Sequence, residues 1–74
     1  MVQACILIKA KTKSVFDVVK QLEQMEEVKD AFPVFGRFDV VAFIEVESRD
    51  RVVELARKIN GLEGVIRTET LLEV

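Results

Sequence analysis

Val40-Val41-Ala42-Phe43-Ile44 is an unbroken apolar run directly behind a glycine turn, Phe35-Gly36-Arg37-Phe38-Asp39. Side chains alternate across a β-strand, so a strand with one wet face alternates apolar and polar residues. Here Val40, Ala42 and Ile44 fall on one face while Val41 and Phe43 fall on the other. Both faces must therefore be dry. In a chain of 74 residues, two short helices cover one side of a small sheet, and the simplest cover for the other side is a second copy of the chain. A homo-oligomer is expected.

Composition points the same way. Half of the residues (50%) are hydrophobic, with no Trp or Tyr, more aliphatic surface than a single domain of this size hides by itself. Eleven basic residues against thirteen acidic ones give a net charge of -2, without the one-sided basic block that binds nucleic acid or an anionic membrane. Cys5 is the single cysteine and histidine is absent, which excludes an internal disulfide and the usual zinc spacings. The apolar start from Met1 to Ala10 is too short for a secretory leader, and no stretch approaches the roughly 20 apolar residues of a membrane span. A soluble, cytoplasmic protein is expected.

The pattern predicts six elements in one domain, residues 1–74, without linker, repeat or DNA-binding helix-turn-helix. Val2 to Lys9 reads as a first, central strand. Ser14 is placed as the cap of a helix whose apolar residues Val15, Val18, Val19, Leu22 and Met25 recur at helical spacing before Glu26 and Glu27 close it. Val28 to Phe35 reads as an edge strand because Pro33 cannot donate to a ladder. Gly36 turns the chain into Asp39 to Val46 as the hairpin partner. Ser48 caps a second helix carrying Val52, Leu55, Ala56 and Ile59, with Glu54 and Lys58 placed as a surface pair, and Asn60 and Gly61 stop it. Gly64 opens a last strand running to Val74, in which Thr68 and Thr70 share one side and Arg67, Glu69, Leu71 and Glu73 the other.

The order βαββαβ, under the right-handed crossover rule, predicts an α+β, ferredoxin-like split βαβ sandwich. Its four-stranded antiparallel sheet has strand order 4-1-3-2, with two helices on one face. Ala4, Ile6, Ile8, Ala42 and Ile44 form the wholly apolar set and face the helices. Cys5, Leu7 and Phe43, which share their side with Lys9 and Glu45, are assigned to a subunit interface.

Little in the sequence offers catalysis. Without histidine, general bases shrink to carboxylates, lysines and Cys5, and Cys5 in an apolar strand reads as a small buried hydrophobe. Gly61 and Gly64 follow a helix rather than open one, so no phosphate loop is present. The central strands carry aliphatic residues where an RNA-binding sheet needs stacking aromatics. The turn at Gly36 to Asp39 has two readings: Asp39 bonds to turn amides, or the exposed turn and its carboxylate hold a small zwitterion. Thr68 and Thr70 add hydroxyls to the second reading, or simply reflect β-propensity.

Val34-Phe35-Gly36-Arg37-Phe38-Asp39 resembles the Val-x-Gly-x-aromatic-Asp turn of the effector-binding module of Lrp/AsnC transcription regulators. Gly64-Val65-Ile66-Arg67-Thr68-Glu69-Thr70 is similar to that module's Gly-Val-x-x-Thr-x-Thr final strand. The resemblance spans essentially the whole chain. It implies a βαββαβ module without a cofactor that dimerises sheet against sheet, assembles dimers into rings, and binds an amino acid between neighbouring dimers. Carried over by position, Gly36, Arg37 and Phe38 would form the turn around the ligand, Asp39 would help hold its ammonium group, and Thr68 and Thr70 would line the pocket. Because strand one begins almost at Met1, the resemblance is to a stand-alone form that would act through a full-length regulator or as a sensor or store. Two other classes stay open: an enzyme of the dimeric α/β-barrel type, and a purely structural assembly partner.

Overall fold

A computed structural model describes residues 1–73. The elements are β1 (Val2–Ala10), a short 3-10 turn (Thr12–Ser14), α1 (Val15–Glu23), β2 (Val28–Pro33), β3 (Val40–Val46), α2 (Arg49–Asn60) and β4 (Val65–Leu72). The four strands form one antiparallel sheet in the order β2-β3-β1-β4. This is the 4-1-3-2 sandwich that the element order predicts, with β1 and β3 central.

The apolar set closes the core as the alternation requires. In register, Ile8 faces Val40, Ile6 faces Ala42 and Ala4 faces Ile44, and all six side chains are buried. Over this face, α1 packs on β2 and β3 while α2 packs on β1 and β4. Leu22 from α1 and Leu55 and Ile59 from α2 reach zero exposure, each burial contributing about 1.5–3 kcal/mol. No helix among the described residues is long and apolar enough to cross a membrane.

Several boundaries differ from those the sequence suggests. The edge strand stops at Pro33, not Phe35, because proline cannot donate onward and Val34 N–H instead donates to Asp39 C=O at 2.9 Å. Phe35 projects wholly into solvent. Helix α1 ends at Glu23, two residues before Met25, whose side chain nevertheless packs against the core. Ser14 makes no capping hydrogen bond; the 3-10 turn runs straight into the helix, with Ser14 N–H donating to Lys11 C=O at 2.8 Å. Ser48 does cap α2, its hydroxyl accepting from Arg51 N–H at 3.3 Å. Glu54 lies 3.7 Å from Arg51 rather than pairing with Lys58. At the C-terminus β4 extends to Leu72; the reading of Val74 as strand lies outside the described residues.

The face away from the helices stays open. Cys5 stands between Phe43 and Leu71, and Leu7 between Val41 and Glu69. Phe43 is 45% and Leu71 52% exposed, and the rings of Phe32 and Phe43 lie 6.1 Å apart. This is the mixed apolar row assigned to an interface from the sequence.

Candidate functional site

The β2–β3 turn is anchored to β1 at a point where the sheet changes register. The β1–β4 ladder shifts between Lys9 and Ala10, and the β1–β3 ladder ends at Ile8 and Val40. Asp39 continues that ladder with its own atoms. Its backbone N–H donates to Ile8 C=O at 2.8 Å, and its carboxylate Oδ2 accepts from Ala10 N–H at 2.9 Å. The same oxygen lies 3.5 Å from Lys9 Nζ. The carboxylate thus satisfies a backbone donor that the register shift would orphan. Its donor is on the neighbouring strand, not among the amides of its own turn as one of the two sequence readings has it.

Gly36 sits at the tip with φ +131 and open space where a Cβ would stand. Only glycine adopts that angle without strain. From this tip the chain descends through Arg37 and Phe38 into a cavity of about 310 Å³, which Arg67, Thr68 and Glu69 of β4 also line. The Arg67 guanidinium lies 5.7 Å from the centroid of the Phe38 ring, a cation–π contact that ties turn to strand. Arg37, Phe38 and Thr68 therefore meet in one place. Gly36 and Asp39 shape the turn without lining this cavity.

Thr70 belongs elsewhere. Thr68 and Thr70 pair with Ile8 and Ile6 and point to the helix side of β4. Both line a second groove, about 570 Å³, beside Val53 and Ala56 of α2 and flanked by Arg49 and Arg57. The sequence alone does not single out Arg67 and Glu69 as ligand residues. Their alternation with the threonines is visible there, but the turn's reach across β1 to β4 is not.

Among the described residues, Cys5 and Glu27 have shifted equilibria, each for a structural reason. Burial pushes the Cys5 thiol up, away from the thiolate form a nucleophile needs. A hydrogen bond from Arg51 pulls the Glu27 carboxyl down, helped by a backbone hydrogen bond, as expected of a structural ion pair. Among the described residues no group of His, Cys, Asp and Glu is arranged to hold a metal ion.

A split βαβ sandwich with a small polar cavity at one end of its sheet belongs to the ferredoxin-like class, which hosts many unrelated functions. Residues 3–73 match the model of the Lrp/AsnC ligand binding domain, and the chain belongs to that family. No curated protein matches the sequence. Among solved structures, TTHA0845 from Thermus thermophilus is 29% identical, with TM-score 0.94 over 100% of this chain and 94% of that one. FFRP-DM1 is 27% identical, with TM-score 0.94 over 100% of both chains. AsnC from E. coli is 27% identical with TM-score 0.87, over 99% of this chain and 50% of that one.

Proposed function

We propose that the chain is a non-enzymatic effector-binding and oligomerisation module of a cytoplasmic transcription-regulatory system, with a small amino acid as its effector. One observation carries this reading: two sequence segments far apart in the chain, the Gly36 turn and β4, converge through Arg37, Phe38, Arg67 and Thr68 on one cavity. Family membership supports a regulatory, ligand-binding role. In this reading Gly36 gives the turn its exposed amides, and Arg37, Phe38 and Thr68 contact the ligand. Asp39 holds the turn against β1 through Ala10 N–H and Lys9, while Thr70 extends the surface towards α2.

The open face carrying Cys5, Leu7, Phe43 and Leu71 pairs with that of a second copy. Lys9 and Glu45 on the same face supply opposite charges that a two-fold arrangement can match. Dimers then associate into a ring, and a ligand seated between chains stabilises the assembly by mass action. The module transmits its state through mixed assembly with a full-length Lrp/AsnC regulator.

Calorimetric titration of the purified oligomer with each common amino acid tests the reading. Saturable heat with one or a few of them is expected. No heat with any would reduce the turn to a structural feature and favour a purely structural assembly partner.

A further inference from the structure

The geometry points to an acidic amino acid, one with two carboxylates and one ammonium group, as the effector class of the Arg37–Arg67 cavity. This rests on the effector-binding reading and sharpens it. Its basis is uncommitted charge. Among the described residues, the ion pairs are Lys9 with Asp39 and Arg51 with Glu27 and Glu54. Arg37, Arg67 and Glu69 take part in none of them, yet all three line one cavity of about 310 Å³. Asp39, the carboxylate of the adjoining turn, has one oxygen already shared between Ala10 N–H and Lys9.

The cavity thus presents two free guanidinium groups and one free carboxylate, a net charge of +1 from its three ionised lining residues. A dicarboxylic amino acid carries the complementary set. Each guanidinium offers a planar fork that matches a carboxylate bidentately. Glu69 accepts from the ammonium group. Phe38 holds the Arg67 guanidinium in place through its ring face, so that less side-chain freedom is lost on binding. A neutral amino acid leaves one guanidinium without a partner, and a basic one adds a like charge, which discriminates against both.

The test is calorimetry on the intact protein with L-aspartate and L-glutamate against L-asparagine, L-glutamine and L-leucine. Aspartate or glutamate is expected to bind at least about tenfold more tightly than its amide, since a charge-assisted pair is worth more than a factor of ten. That advantage should fall towards parity in Arg37→Gln and in Arg67→Gln, each first shown to unfold at the wild-type denaturant midpoint. Glu69→Gln provides a separate readout. It should weaken aspartate while leaving succinate, the same carbon chain without the ammonium group, unchanged or tighter; equal loss of both would mark Glu69 as merely structural and overturn its assignment. Binding of leucine or the amides as tightly as the acids would overturn the acidic class and leave the effector-binding reading standing. No binding by any amino acid would defeat that reading and this inference with it.

Discussion

Asp39 and Gly64 show how much a single position decides in a domain this small. Asp39→Ala leaves Ala10 N–H without its acceptor in a partly buried setting, and a lost partner of that kind costs about 1–3 kcal/mol. A lower urea midpoint at unchanged slope is the expected result; an unchanged midpoint would mean that water replaces the carboxylate at no cost. Gly64 has φ +91, and a Cβ there would lie 2.4 Å from Ser14 Cβ and 2.6 Å from Ser14 Oγ. Gly64→Ala therefore combines backbone strain with overlap. In a Ser14→Gly background the overlap disappears and the strain stays, so the double variant should recover part of the loss. Full additivity of the two substitutions in denaturation would contradict that contact. Gly36, also at positive φ but facing open space, should lose only the backbone part on substitution by alanine. Both glycines are legible in the sequence as turn signals. That Gly64 is also packed against Ser14 is not, because the contact joins the start of α1 to the start of β4.

Elements are legible wherever a single period runs unbroken. Ile6, Ile8, Ala42 and Ile44 alternate along their strands, and Val18, Val19 and Leu22 recur at helical spacing; all of them are buried. Junctions are harder. Ser14 and Ser48 look alike as caps in the sequence, yet only Ser48 makes the bond, because a 3-10 turn precedes α1 and fixes Ser14 in helical conformation. The candidate site is partly legible: the Gly36 turn and the threonine strand stand out, but the grouping of Arg37 with Arg67 depends on how the turn crosses the end of β1. One tie between elements makes a pH prediction. Arg51 at the start of α2 is hydrogen-bonded to Glu27 in the α1–β2 loop, which lowers the Glu27 carboxyl below its ordinary value. A carboxyl depressed in the folded state stabilises the fold fully above its unfolded pKa of about 4.3, and that stabilisation is lost as pH falls through the folded value. Glu27→Gln should therefore lower stability at neutral pH and flatten its decline below about pH 4. Denaturation midpoints at a series of pH values check this; parallel curves for both proteins would contradict it. The effect will be small, since both side chains remain partly solvated.

The whole molecule is a half-covered sheet. Helices α1 and α2 close one face, while Phe43, Leu71 and the Phe32 ring stay accessible on the other, a continuous apolar row of the kind that marks an association surface. If a second copy covers it, Phe43→Asp places a charge at the centre of the interface and should shift sedimentation to the monomer at micromolar concentration, with the helical circular dichroism retained. A Phe43→Asp protein that still sediments as an oligomer would move the contact to another surface. That assembly is joined, in the proposed function, to a ligand site at the end of the sheet. Amide chemical shifts of the isotopically labelled protein, followed while aspartate, glutamate and the neutral amino acids are added in turn, put the link to the test. Saturable shifts are expected, centred on Gly36 to Asp39 and Arg67 to Glu69, with smaller changes along the open sheet face. Shifts centred instead on Val53, Ala56 and Thr70 in the α2 groove, or none with any amino acid, would refute it.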